Sequence, residues 1–112
     1  MMDLQEREKK IALAELKEKI SHFLYRQFID FERDKRIIVH DQEVRPSFYL
    51  NKYAVIIECV DSAKPGNPDY DAFVKAYTGD EFKVIFLDLN NIALKNADQF
   101  LKEQLIELGC KI

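Results

Sequence analysis

Residues 45–60 decide the fold of this chain, and they read RPSFYLNKYAVIIECV. The segment contains two apolar runs, 47–50 and 53–60, which are rich in the aromatic and β-branched residues that favour β-strands. Asn51 and Lys52 between the runs can close a tight two-residue hairpin, because Asn tolerates the left-handed conformation. A slightly longer loop over residues 50–52 is the alternative. The second run is the most apolar strand of the chain, yet it contains the carboxylate of Glu58.

Glu58 needs a compensating partner, because burying an unpaired carboxylate costs several kcal/mol. A tight turn would place Arg45 directly opposite Glu58 and Ser47 opposite Ile56. Period-two alternation then puts Ser47 and Glu58 on one face as diagonal neighbours, roughly 7–8 Å apart between Cα atoms. One interpretation is a cross-strand Arg45–Glu58 ion pair, which the spacing alone favours. The other is a metal-binding face with Glu58 as a ligand.

The remaining sequence alternates between helical and strand patterns. Apolar residues at three- and four-residue steps predict a first helix over residues 4–28, with residues 1–10 polar on every face and frayed. The other predicted elements are strands at 37–39 and 82–89, a helix from the Asn67 cap to Gly79, and a final helix with an Asn96–Gln99 capping box that Gly109 ends. A strand-helix-strand passage predicts parallel strands. We therefore expect one α/β domain over residues 1–112, with the order α-β-β-β-α-β-α.

Composition limits the class of protein. The 112 residues are 47% hydrophobic and 33% charged, with 3 Gly and 3 Pro, which excludes a disordered or collagenous chain. No apolar run approaches the ~20 residues that cross a bilayer, and residues 1–10 lack the apolar region of a secretory signal. We therefore expect no membrane partner. Two cysteines are too few for a disulfide framework, which favours a reducing, cytoplasmic setting. With a net charge of −3, nucleic-acid binding would need a local basic patch.

The segment from Arg45 to Tyr53, running into Ile56-Ile57-Glu58, resembles the PD-(D/E)XK nuclease superfamily, which has the restriction-endonuclease-like fold. Several small members read Arg-Pro-Asp-Phe-Tyr-Leu-Pro-Glu-Tyr before an apolar strand that ends in Ile-Glu. The likeness continues through Pro68-Asp69-Tyr70, Lys75, Tyr77 and the strand at 84–87. It implies the αβββαβ(α) core of that family, with a mixed central sheet flanked by helices.

The resemblance also implies a site chemistry. In active members the Asp after Pro and the Glu of the next strand hold Mg²⁺, and a Lys two residues beyond the Glu orients or activates water. Mg²⁺ prefers hard oxygen ligands, and a metal-bound hydroxide can attack phosphorus. Here Glu58 stands in place, but Ser47 occupies the Asp position and Val60 occupies the Lys position. The resemblance therefore implies a degenerate active site that has lost most metal affinity and most rate.

Other residues could substitute for the lost groups in a working nuclease. Asp61 or Glu43 could add a carboxylate, and Glu18 could match the family's helical Glu. By helical angle, however, Glu18 lies almost opposite the apolar stripe of its helix, which favours a solvated acid. Lys75 could match a lysine that has migrated to the following helix, as in some relatives. It points away from the apolar face of that helix, so an i,i+4 pair with Asp71 is the simpler interpretation.

Three functions follow from these patterns. The leading hypothesis is a degenerate restriction-endonuclease-like domain that binds nucleic acid or serves as a subunit of a DNA-processing assembly. Its candidate nucleic-acid contacts are Arg45 and the densest basic cluster, Arg33, Lys35 and Arg36. The second is an active Mg²⁺-dependent endo- or exonuclease that uses Glu58 with substitute ligands. The third is a protein-protein interaction module or homo-oligomer without a nucleic-acid role, which the acidic balance favours.

Overall fold

A mixed sheet of four strands lies between helices in the structure, a computed structural model that describes residues 4–77 and 82–112. The helices are α1 (Leu4–Arg26), α2 (Pro68–Ala76) and α3 (Ala97–Glu107), the last preceded by a 3₁₀ turn (Leu94–Asn96). The strands are β1 (Glu32–Arg33), β2 (Ile37–Val39), β3 (Gln42–Val44), β4 (Phe48–Leu50), β5 (Val55–Val60) and β6 (Lys83–Asp88). The α/β class and the mixed sheet agree with the sequence-based expectation.

The strand order in the main sheet is β1-β4-β5-β6. β1, β4 and β5 are antiparallel neighbours, whereas β5 and β6 are parallel, which confirms the prediction from the strand-helix-strand passage. The short strands β2 and β3 form a separate hairpin, so the expectation that the strand at 37–39 belongs to the central sheet is wrong. Its turn residues, His40 and Asp41, both have positive φ (50° and 63°), as a two-residue turn that matches the twist of the strands requires.

All six residues of β5 are buried, because both faces of this strand are covered. Val55, Ile57 and Cys59 pack with buried side chains of α1 and α3, while Ile56 packs with Ala76 and Tyr77 at the end of α2. The α1 and α3 side chains in this core are Leu16, Ile20, Phe23, Leu24, Leu101 and Leu105. This two-sided cover explains why β5 is the most apolar run of the sequence.

The β4–β5 connection corrects the tight-turn prediction. Four residues, Asn51–Ala54, form the turn, and Phe48 lies opposite Ile57. Continuing this register by one residue places Ser47 opposite Glu58 rather than Ile56. The shift is two residues, so the side-chain faces stay as predicted even though the partners change. Tyr53, which we expected to begin the second strand, belongs to the turn. Its hydroxyl forms hydrogen bonds with the backbone of Lys111 at 3.3 Å.

Helix boundaries match the sequence signals in part. Asn67 caps α2 as predicted, with its side chain accepting a hydrogen bond from the Tyr70 amide at 3.1 Å. The capping box at Asn96 is wrong, because its side chain makes no capping hydrogen bond and Gln99 instead bonds to Glu103. α1 is helical from residue 4, where we expected fraying. The predicted end of α2 at residue 79 lies outside the described residues.

α1 and α3 end in the same hydrogen-bonding motif with different residues. After α3, Gly109 has φ +87°, and the next amide, of Cys110, donates to the Leu105 carbonyl at 2.9 Å. After α1, Phe28 takes the equivalent position with φ +57°, and the amide of Ile29 donates to the helix at 3.0 Å. Left-handed backbone is strained for a residue with a bulky side chain, whereas glycine adopts it freely. Phe28 is 94% exposed, so no burial offsets this strain.

Replacing Phe28 with glycine should therefore stabilise the protein. We expect Phe28→Gly to raise the free energy of unfolding by about 0.5–1 kcal/mol, since relief of left-handed strain exceeds the entropy that glycine adds to the unfolded chain. Gly109→Ala is the matched control and should lower stability by about 1 kcal/mol through strain alone, because a Cβ there would meet no atom within 4 Å. Urea denaturation measures both, and a less stable Phe28→Gly variant would contradict this account.

Candidate functional site

The candidate site centres on Glu58, whose side chain is fully buried in β5. The backbone N–H of Ser47 donates a hydrogen bond to Glu58 Oε1 at 2.6 Å. The hydroxyl of Tyr77, at the end of α2, donates to Glu58 Oε2 at 3.3 Å. Each carboxylate oxygen therefore has one donor, as buried polar groups require. We call Ser47, Glu58 and Tyr77 together the Glu58 site.

Ser47 is tied to β5 through two of its atoms. Its backbone N–H bonds to the Glu58 carboxylate, and its Oγ accepts a hydrogen bond from the Cys59 amide at 3.5 Å. The residue is buried, just before β4 begins. The two positions that the nuclease resemblance singles out for its acids thus lie side by side on adjacent strands. They are in direct contact, which is closer than the diagonal relation expected from a tight turn.

The predicted Arg45–Glu58 ion pair is wrong. Arg45 is exposed, and its guanidinium contacts Glu43 at 3.3 Å. The four-residue β4–β5 turn moves the partner of Glu58 from Arg45 to Ser47, which leaves Arg45 beyond the end of β4. Within residues 4–77 and 82–112, Glu58 forms no ion pair, and its hydrogen bonds come from neutral donors.

Electrostatics at the site favour uncharged groups. Burial raises the pKa of Glu58 above its ordinary value, and the hydrogen bonds from Ser47 and Tyr77 oppose that rise only in part. Burial likewise raises the pKa of the Cys59 thiol to about 12, so Cys59 is a buried apolar residue and not a nucleophile. The pKa of Tyr77 is raised by burial and by the nearby Glu58 charge, which keeps its hydroxyl a donor.

Lys17 is a residue that the sequence analysis missed. It lies half-buried on α1, and its positive charge lowers the pKa of both Glu58 and Cys59, against the larger effect of burial. A sequence signal existed, because Lys17 is four residues after Leu13 and three before Ile20, on the apolar stripe of the helix. A lysine on that stripe can pack its methylene groups toward the sheet, and its ammonium charge then acts on groups in the sheet.

The substitute metal ligands make contacts elsewhere. Asp61, just after β5, lies 4.0 Å from Lys9 and accepts a hydrogen bond from Asn67 at 3.0 Å. Glu18 is exposed and accepts a 2.8 Å hydrogen bond from Arg33, and this bond together with the Arg33 charge lowers the pKa of that carboxyl. The other two candidates, Glu43 and Lys75, are also exposed.

The described part of the chain contains no group of three His, Cys, Asp or Glu side chains placed to hold a metal ion. At the Glu58 site a single carboxylate is present, and its oxygens already accept hydrogen bonds from Ser47 and Tyr77. The Ser47 hydroxyl is neutral, and its oxygen accepts a hydrogen bond from the Cys59 amide. Because Mg²⁺ needs several hard oxygen ligands in near-octahedral geometry, these residues do not fit the ion.

The predicted basic cluster is neutralised by carboxylates. Arg33 pairs with Glu18 at 2.8 Å, and Lys35 pairs with Glu32 at 2.9 Å. Arg36 and Arg45 both contact Glu43, at 3.2 and 3.3 Å. Four cations therefore face three carboxylates. A phosphate that bound here would compete with these pairs, so the cluster is a weak candidate for a nucleic-acid contact.

Asp88 is a second buried acid that the sequence analysis missed. It ends β6 with 4% of its surface exposed and accepts hydrogen bonds from the amides of Ala63 (2.9 Å) and Asn90 (2.8 Å) and from the Asn91 side chain (3.1 Å). These bonds join the loops that follow the parallel strands β5 and β6. The warning in the sequence was the same as at Glu58, namely an acid inside an apolar strand.

The raised pKa of Glu58 predicts a pH-dependent stability. A carboxyl with a higher pKa in the folded state binds its proton more tightly there, so stability falls as pH rises from about 4.5 through the folded pKa. Glu58→Gln keeps an oxygen to accept from Ser47 and an amide to donate to Tyr77, without the charge. We expect its stability relative to wild type to increase over that pH range. Thermal denaturation between pH 4 and pH 8 measures this, and a constant difference would contradict it.

Glu58→Ala is the matching disruptive variant. It removes the acceptor of the Ser47 amide and of the Tyr77 hydroxyl and leaves a cavity in the sheet, so we expect a loss of about 2–4 kcal/mol at pH 4. The loss should become smaller as pH rises, because this variant also lacks the carboxyl of raised pKa. Urea denaturation at two pH values measures this, and the difference in stability between Glu58→Ala and Glu58→Gln should be the same at both, because neither variant has the carboxyl.

Comparison of the chain with models of protein families, with curated protein sequences and with solved structures gives no significant match. Among the described residues, no helix has the length and apolar character needed to cross a bilayer.

Proposed function

We propose that this chain is a restriction-endonuclease-like domain without catalytic activity, which binds nucleic acid as a subunit of a DNA-processing assembly. One observation carries the proposal. Ser47 and Glu58, which match the positions of the family's Asp and Glu, are buried in contact on adjacent strands, with a 2.6 Å hydrogen bond between them. An acid buried in a strand that is covered on both faces lowers stability. Packing therefore does not explain the presence of Glu58, whereas descent from a metal site would.

The order of elements supports the same proposal. If the β2–β3 hairpin is treated as an insertion, the chain runs α1, β1, β4, β5, α2, β6 and α3. This is a helix, three strands, a helix, a strand and a final helix, the order that the resemblance implies. Ser47 precedes the second strand of this series, and Glu58 lies in the third.

The chemistry of the site supports a role without catalysis. Phosphodiester hydrolysis of this kind needs a cation to neutralise the developing charge and a group to orient water. Ser47 offers a neutral oxygen that accepts a hydrogen bond from the Cys59 amide. Val60, at the lysine position, is a buried apolar side chain. Lys75, the candidate replacement for that lysine, is exposed on α2. The site retains the form of a metal-binding pair without its charge.

The paired state of the basic cluster favours a second candidate, a protein-interaction module. Carboxylates contact Arg33, Lys35, Arg36 and Arg45, which reduces the field available to phosphates. A protein partner would bind with weak dependence on salt, whereas nucleic acid would release counterions on binding. Salt dependence therefore separates the two candidates.

The first test combines cleavage and binding assays. We expect no cleavage of linear or single-stranded DNA or RNA with Mg²⁺ or Mn²⁺, for either wild type or Glu58→Gln, since the residues that the structure describes contain no metal ligand set. We expect binding whose affinity falls steeply as salt increases. Cleavage that Glu58→Gln abolishes would establish the active-nuclease alternative, and absence of binding at low salt would leave the protein-interaction module.

The second test restores the lost groups. The double variant Ser47→Asp, Val60→Lys places two carboxylates together, which should destabilise the metal-free protein through repulsion and create a site for a divalent cation. We expect Mn²⁺ to raise the melting temperature of this variant and to leave wild type unchanged. Ser47→Asn, Val60→Lys is the control of similar shape without the second carboxylate. An equal response of the two double variants to Mn²⁺ would count against descent from a metal site.

A further inference from the structure

We propose that Tyr25, Phe28, Lys52 and Lys111 form a binding surface for the unpaired bases of single-stranded nucleic acid. We call these four residues the Phe28 surface. The inference rests on the proposed function in taking nucleic acid as the ligand, and it assigns binding to a part of the molecule other than the Glu58 site.

The first observation is the conformation of Phe28. Its backbone is left-handed, with φ +57°, and its side chain is 94% exposed. Folding gains almost no burial from the ring, and the backbone would be less strained with glycine, as Gly109 shows at the end of α3. A strained residue whose side chain contributes nothing to the core is a candidate for function. Tyr25, three residues earlier on α1, is also 79% exposed.

The second observation is the shape around Phe28. Two adjoining hollows, of about 290 and 180 Å³, share Phe28, Ile29 and Asp30 in their walls. Tyr25 lines the larger hollow, while Lys52 and Lys111 line the smaller one. The larger hollow is thus lined by aromatic residues, the smaller one is lined by two lysines, and Phe28 lines both. Proteins that bind single strands without sequence preference combine these two features, with bases on aromatic faces and phosphates on nearby cations.

The third observation is charge. Lys52 and Lys111 are exposed, and the acid that shares the walls of the hollow with them is Asp30. The chain as a whole has a net charge of −3, so the charge of this hollow is opposite in sign to that of the whole protein. Lysines beside the exposed rings suit an anionic ligand better than an apolar protein surface, because covering an ammonium group with apolar atoms is costly. The charge therefore favours a nucleic acid over an apolar partner.

The Phe28 surface is separate from the Glu58 site. Lys52 lies in the β4–β5 turn, and Phe28 follows the end of α1, which packs near that turn. Glu58 is three residues beyond the start of β5, or roughly 10 Å along the strand. Variants at Phe28 therefore leave the hydrogen bonds of the Glu58 site intact.

The experiment measures binding of a fluorescein-labelled oligothymidylate and of a short mixed-sequence duplex by fluorescence anisotropy. We expect wild type to bind the single strand more tightly than the duplex. Phe28→Gly and Phe28→Leu should each weaken single-strand binding roughly tenfold, because loss of one stacked base has about that effect, and Phe28→Tyr should retain affinity. Because Phe28→Gly is expected to be the more stable protein, unfolding cannot explain its weaker binding.

The lysines have their own readout. Lys52→Gln and Lys111→Gln should each reduce the slope of log affinity against log salt by about 0.7, the value for one phosphate contact on a single strand. An unchanged slope in both variants would remove the two lysines from the surface.

Each remaining outcome decides between explanations. If wild type binds nucleic acid and the Phe28 variants bind equally well, the Phe28 surface is wrong and the proposed function stands. If wild type binds neither probe at low salt, the proposed nucleic-acid role fails together with this inference. If Phe28→Leu binds like wild type, the contact at residue 28 is a non-specific apolar contact, and stacking of bases on the Phe28 ring is ruled out. Self-association that Phe28→Gly abolishes in analytical ultracentrifugation would show that a second copy covers the surface.

Discussion

The 2.6 Å hydrogen bond from the Ser47 amide to the Glu58 carboxylate is the interaction on which the rest of the structure depends. It allows an acid to remain in a strand that is covered on both faces, and it joins the start of β4 to the middle of β5. The donor is a neutral backbone N–H, so the carboxylate is hydrogen-bonded here without an ion pair. The same bond fixes the register, since a shift of one residue would turn Glu58 to the opposite face of the sheet, where α1 and α3 pack.

Sequence patterns predicted the elements whose signal is local. The apolar stripe of α1, the Asn67 cap and the run that forms β5 are each recognisable within a dozen residues. The β4–β5 turn was not predictable in this way, because Tyr53 is held by the backbone of Lys111, 58 residues later in the chain. The strands β1 and β3 were missed for a related reason. They contain only two and three residues, largely polar, and become strands through pairing with β4 and β2.

Charge was the least predictable property. Arg33 and Arg36 read as a local basic cluster, but their partners Glu18 and Glu43 come from α1 and β3. Position along the chain therefore overstated the positive field, which folding balances with acids from other elements. The reverse holds at the Phe28 surface, where Lys52 from the β4–β5 turn and Lys111 line the same hollow as Phe28. A charged patch of this kind exists only in three dimensions, and no window of sequence contains it.

Asp88 affects how fast nearby loop amides exchange their hydrogens with water. Its carboxylate holds the amides of Ala63 and Asn90, which lie in loops and not in the sheet. Loops ordinarily exchange their amide hydrogens through small local fluctuations, long before a sheet separates. Here each of the two loop amides must first break a hydrogen bond to a buried carboxylate, which ties both loops to the end of β6. These two amides should therefore exchange more slowly than loop amides without such a bond, although the backbone around them is irregular.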